Sequence, residues 1–165
     1  MNMIPRDKPI LVPVDFSVHS EKALLLAAEL ADKIDSSIVV VHVVHDPGES
    51  PGYYSIKGRH KVLSRMEDVA KDMLDDFLKK FIKSHPDLKK IKKAKHLLVT
   101  GLPVDRILQM VKKFDASMII MGSRGRTRLS HILLGSKAEQ VIRLSPIPVT
   151  ITKVSKVSKV SKQSK

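Results

Sequence analysis

Two glycines three residues apart, Gly122 and Gly125, are followed after nine residues by Gly135 and Ser136. Arg124, Arg126 and Arg128 fall inside that interval. Glycine lets main-chain N–H groups come close to a ligand, and the first N–H groups of a helix have no partner within the helix. Guanidinium groups add positive charge in a planar fork of donors. A loop of this composition suits an anion, and above all a phosphate. A carboxylate of interest, Asp15, stands more than 100 residues earlier, directly after an apolar run.

For such a loop to work, a strand must feed Gly122 and a helix must begin near Ser136. Both are written in the chain. Met118 to Met121 is a short apolar run that stops at the glycine, and Ala138, Val141 and Ile142 recur at helical spacing after Ser136. Ser136 and Glu139 also form the S-x-x-E pattern of a capping box, so the serine could cap its own helix as well as meet a ligand.

The other elements follow the same logic. Ile10 to Val14 reads as a buried strand, and Asp15-Phe16-Ser17 as the tight turn after it. Ser17 is a candidate N-cap for a helix to about Asp35, with Ala23, Ala27, Leu30 and Ile34 on one side. Ile38 to Val44 is a second buried strand; His42, in mid-strand, reads as a packed core histidine. His45 to Gly58 is rich in turn residues and forms a long loop, in which Tyr53 and Tyr54 either close over a ligand or serve no such role. Val62, Met66, Val69, Met73, Phe77 and Phe81 mark the inner face of a long helix. Lys79 to Lys95 holds eight lysines against one acid, Asp87, and reads as a solvated surface. His96 to Thr100 is a third strand, and Pro103 opens a helix buried through Val104, Ile107, Leu108 and Val111. Ile147 to Ile151, flanked by prolines, is a fifth strand at a sheet edge.

Alternation of strand and helix from end to end predicts an α/β fold, a parallel sheet with helices on both faces. Residues 1–152 form one domain on this reading. The closing KVSKVSKVSKQSK, 153–165, segregates no face at its period of three and is expected to be a disordered lysine-rich tail. The chain has 165 residues, no cysteine and 42% hydrophobic residues, which excludes disulfides and thiolate metal sites. No apolar run approaches the ~20 residues of a membrane span, and the N-terminus lacks the apolar stretch of a signal peptide, so a cytoplasmic protein is expected. The net charge of +13 points to anionic partners, while the 4% aromatic content argues against single-stranded nucleic acid as the main ligand.

The strand ending in Asp15, the His42-Val43 pair, and Gly122-x2-Gly125-x9-Gly135-Ser136 together resemble the universal stress protein family, in particular its ATP-binding branch. The likeness runs from Ile10 to Ile151. It implies a five-stranded parallel sheet of order 3-2-1-4-5, a Rossmann-like sandwich in which the ends of strands 1 and 4 lie side by side where ligands bind. It further implies that Pro13, Val14 and Asp15 meet adenine and ribose, with Val43 beside the base. Met121 and Gly122 would line the ribose, while Arg124, Gly125, Gly135, Ser136 and Lys137 would hold the phosphates of ATP with Mg or Mn. A homodimer through the last strand is implied as well.

No catalytic residue emerges. There is no Walker A motif, nucleophile elbow or HExxH, and no metal spacing among the histidines. The reading is therefore a nucleotide-binding stress-response module. Two alternatives stay open: a slow ATPase or nucleotidyl-transfer enzyme, and a polyanion or nucleic-acid binder acting through the basic tail and the Lys79 to Lys95 stretch.

Overall fold

The computed structural model of the chain describes residues 7–44, 59–125 and 134–154, with 59–65 as backbone only. The expectations for the 45–58 loop with its two tyrosines, for Arg126, Arg128 and His131, and for the tail beyond Val154 fall outside these residues.

Five strands form one parallel sheet: β1 (Ile10–Pro13), β2 (Ile38–Val44), β3 (Lys95–Thr100), β4 (Met118–Gly122) and β5 (Val149–Thr152). Their order is β3-β2-β1-β4-β5, the order that the family resemblance implies. Four helices connect them: α1 (Val18–Ile34), α2 (Arg59–Ser84), α3 (Pro103–Phe114) and α4 (Ser136–Leu144). Side chains alternate across the sheet. Ile10, Val12, Val40, Met118 and Ile120 pack with α1 and α2 on one face, and Leu11, Val39, Val41, Ile119 and Met121 with α3 and α4 on the other. Both faces being buried is why these strands read as unbroken apolar runs.

The β1–β4 ladder is short, pairing only Ile10 with Met118 and Leu11 with Ile119. The cause lies in the sequence. Along β1, the N–H groups of Ile10 and Val14 point to β2, bonding to the carbonyls of Ser37 and Val41 at 2.9 Å each. Alternation then aims the nitrogens of Leu11 and residue 13 at β4, and residue 13 is proline, which has no hydrogen to donate. Pairing stops there, and the strands part just where the chain must open a cleft.

Several boundaries differ from those expected. β1 ends at Pro13, β3 begins at Lys95 and β4 runs on through Gly122. β5 begins at Val149 rather than Ile147, because the Ser145 hydroxyl donates to the Ile147 carbonyl and accepts from its N–H, closing a turn. In α2 the buried stripe is Ala70, Leu74, Leu78 and Phe81, and Val69 is 58% exposed. Val69 and Ala70 are 100° apart around the helix, and α2 is rotated to put the smaller side chain against the sheet. Ile142, expected in the α4 core, is 43% exposed.

Candidate functional site

The Asp15 turn is held by a dense set of side-chain hydrogen bonds. Ser17 caps α1, its hydroxyl accepting from the Ser20 N–H at 3.2 Å. Asp15 Oδ1 accepts from the Ser17 N–H at 3.1 Å and the Ser17 hydroxyl at 2.6 Å, while the Asp15 N–H donates to Ser20 Oγ at 3.3 Å. Between them Phe16 takes φ 65°, a left-handed conformation costly for a large side chain. Its ring packs 4.3 Å from that of His42 and 5.7 Å, edge on, from that of Phe77. The strained turn is thus fixed from both sides.

Across the gap, the β4 exit is tied to its neighbours by main-chain bonds. The Ser123 N–H donates to the Thr152 carbonyl at 2.9 Å, and the Gly135 N–H donates to the Ser123 carbonyl at 2.7 Å. This second bond carries the start of α4 to the end of β4. Gly135, not Ser136, is the N-cap of α4, and no side chain among the described residues caps it. The capping-box expectation therefore fails: Ser136 already has helical geometry, so its side chain is not placed to satisfy the first-turn amides.

Between the two walls lies a cavity of about 230 Å³. It gathers all eleven residues singled out in the sequence: Pro13, Val14, Asp15, Val43, Met121, Gly122, Arg124, Gly125, Gly135, Ser136 and Lys137. Its floor is apolar, from Val14, Val41, Val43, Ile107 and Met121. Asp15 Oδ2 has no hydrogen-bond partner among the described residues, and it lies 2.9 Å from where a Cβ at Gly125 would stand. The lining therefore offers a carboxylate oxygen beside the glycine loop, together with Arg124, Lys137 and the start of α4. Neither Gly125 nor Gly135 has a positive φ; Gly101 is the one such glycine among the described residues. Their value is room, not backbone freedom.

Sequence reasoning missed several lining residues: Ser20, His42, Pro103, Ile107 and Ser123. His42 was read as core, and half of that is right. Its Nδ1 lies 2.7 Å from the Val14 carbonyl, which can only accept, so Nδ1 carries the proton. The ring both packs on Phe16 and lines the cavity. The signal was the polar residue inside an otherwise apolar strand, facing the same way as Val40 and Val44. His42→Leu is expected to lower stability by about 1–2 kcal/mol, the scale of leaving a half-buried carbonyl unpaired. His42→Asn, whose amide nitrogen can stand where Nδ1 stands, should recover most of it in a thermal melt. Equal losses in both variants would show that packing, not the bond to Val14, is what matters.

Residues 7–153 match the model of the universal stress protein family. The chain belongs to that family. A universal stress protein of Methanocaldococcus jannaschii is 30% identical over 153 residues, covering 88% of this chain and 94% of its own length. The fold is that of the universal stress protein UspA of Lactobacillus plantarum, with TM-score 0.72 at 23% identity, covering 90% of this chain and 99% of that one. It is also that of the universal stress protein of Archaeoglobus fulgidus in complex with dAMP, with TM-score 0.53 at 23% identity, covering 90% and 100%. The alternating strands and helices thus belong to a known architecture, and the cleft lies where open α/β sheets bind ligands.

Proposed function

We propose that this universal stress protein binds an adenine nucleotide, ATP in the first place, as a regulatory module of the stress response. The observation that carries the reading is the make-up of the cleft. One cavity combines an Asp15 oxygen with no hydrogen-bond partner among the described residues, the start of α4 with Arg124 and Lys137, and an apolar lining. A carboxylate accepts hydrogen bonds from ribose hydroxyls, an apolar slot takes a planar base, and free amides with cations take phosphates. The dAMP complex of a protein of the same fold supports an adenine nucleotide in particular.

Size sharpens the reading. The cavity of about 230 Å³ is below the usual range for small-ligand sites, roughly 300–1,000 Å³. It has room for a nucleoside, and the phosphates would lie at its mouth along Arg124, Gly125, Gly135, Ser136 and Lys137. Asp15 is the one carboxylate lining the cavity among the described residues, and its Oδ1 is already engaged. A Mg or Mn ion accompanying ATP would therefore take most of its oxygens from the phosphates and water. Mass spectrometry of nucleotide released from the purified protein, followed by calorimetric titration with ATP, ADP, AMP and GTP, tests this. Adenine nucleotides should bind and GTP should bind far more weakly. No heat with any of them would overturn the proposal.

We place dimerisation at β5, the far edge of the sheet. Around it Ile142, Leu144 and Val154 are 43%, 53% and 41% exposed. A bare strand edge framed by apolar side chains is a surface for a second copy of itself. Light scattering at about ten to a hundred micromolar, spanning the weak-dimer range, should give twice the chain mass. A monomer throughout that range would remove the proposal.

A further inference from the structure

The sheet has two ends, and the cleft occupies only the one where the strands finish. At the opposite end helices finish and strands begin, and here the chain delivers most of its lysine-rich stretch. A 3-10 turn, Ile91–Lys93, leads through Ala94 straight into β3 at Lys95, while α3 ends beside it at Phe114.

Three carboxylates at this end are engaged, while Asp87 is an exposed acid with no ion pair among the described residues. Asp115 pairs with Lys8 at 2.8 Å, and that hydrogen bond holds the lysine above its ordinary pKa. Asp35 pairs with Lys90. Asp32 accepts the N–H groups of Lys89 and Lys90, both at 2.8 Å. Against Asp87 stand six exposed lysines, Lys89, Lys92, Lys93, Lys95, Lys112 and Lys113, none ion-paired among the described residues, although the Lys92 ammonium donates to the Pro86 carbonyl at 2.6 Å. Lys95 and Lys113 lie 5.3 and 5.8 Å from the centre of the same ring, Phe114, so two like charges are gathered on one aromatic. Compensation of helix dipoles accounts for Lys112 and Lys113, in the last turn of α3, but Lys89, Lys92, Lys93 and Lys95 belong to no α-helix.

We propose that this end of the sheet is a docking face for the phosphodiester backbone of duplex nucleic acid, without base readout. Lysines are flexible point charges suited to phosphates, and the set includes no bidentate Arg, Asn or Gln that would read base edges. No aromatic ring in these segments is exposed for stacking on unpaired bases. A lipid surface fits less well, since no exposed large hydrophobic residue falls within 79–95 or 112–115 to anchor there. The face lies at the other end of the sheet from the cleft, so it stands or falls separately from nucleotide binding.

The test uses the full chain and a labelled duplex of about 20 base pairs in two unrelated sequences, from about 25 to 200 mM salt, read by fluorescence anisotropy. One variant carries Lys89, Lys93, Lys95 and Lys113→Gln; a second carries Lys156, Lys159, Lys162 and Lys165→Gln in the tail. Both sequences should bind alike. The first variant should flatten the plot of log affinity against log salt by about 0.9 for each lysine that meets a phosphate, roughly 2 to 3 in all. It should melt like the wild type and titrate with ATP like the wild type. The tail variant should keep more than half of the slope. Three results would overturn the proposal: no duplex binding at the lowest salt, wild-type binding by the first variant with loss in the second, or capture by phosphatidylserine vesicles but not by duplex.

Discussion

Gly122→Ala is expected to destabilise the fold by about 2–3 kcal/mol, the upper range for forcing a methyl group into a packed interior. The glycine closes β4 where α1 crosses it. A Cβ there would lie 2.8 Å from the carbonyl carbon and Cβ of His19 and 3.0 Å from its carbonyl oxygen. These are largely main-chain atoms of a helix, so no side chain can swing aside; α1 itself must lift. The same helix is tied to the sheet nearby, where the Thr152 hydroxyl donates to the His19 carbonyl at 3.2 Å and shares itself with Met121 at 3.4 Å. Lifting α1 would strain that bond too. For a domain of this size the loss corresponds to roughly 4–12 °C in melting temperature. A drop of under a degree would mean that α1 and β4 separate easily and that Gly122 is there for a ligand alone.

That contact also marks the limit of what the chain shows by its sequence. Gly122 was legible as part of a ligand loop, and it does line the cleft. Its contact with α1 was not legible, because His19 is 103 residues away and nothing in either segment names the other. The strands themselves were accessible for the opposite reason: each apolar run is buried on both faces and so leaves a strong local mark, whereas their order came only with the family resemblance. Local signals failed where tertiary packing chose between near-equal options. Val69 and Ala70 both fit a helical stripe, and only the distance between α2 and the sheet selects the alanine. Ser136 fits a capping box, but the Gly135 N–H is drawn to Ser123, which starts the helix one residue earlier than the pattern implies. His42, read as a core residue, is also a wall of the cleft. A sequence can show that a polar group in a strand needs a partner, not that the partner is a carbonyl in the site.

Nucleotide affinity should fall most sharply in Gly125→Ala, by about 1–3 kcal/mol, or roughly 5- to 150-fold. The structure gives this loss a specific route. A methyl group at Gly125 would stand 2.9 Å from Asp15 Oδ2, too close for either to remain. Asp15 cannot retreat freely, because its other oxygen is held by the Ser17 N–H and hydroxyl. Substitution therefore pushes the loop outward or turns the carboxylate away from the cleft. Gly135→Ala is the contrast. There the nearest atoms to a new Cβ are the Ser123 carbonyl oxygen at 3.4 Å and Arg124 Cα at 3.7 Å, ordinary contacts, and the N-cap φ of −69° suits alanine. That variant should melt close to the wild type, so any loss of affinity in it reports ligand lying against the helix start. The two routes separate in a double-mutant cycle. If Asp15 mediates the effect at position 125, Gly125→Ala should cost much less when Asp15→Ala is already present, with a coupling of at least about 0.5 kcal/mol. If the two losses simply add, the methyl group acts on the phosphates directly. If Gly125→Ala and Gly135→Ala both stay folded and bind ATP as the wild type does, the glycine loop holds no phosphate and the nucleotide proposal fails with it.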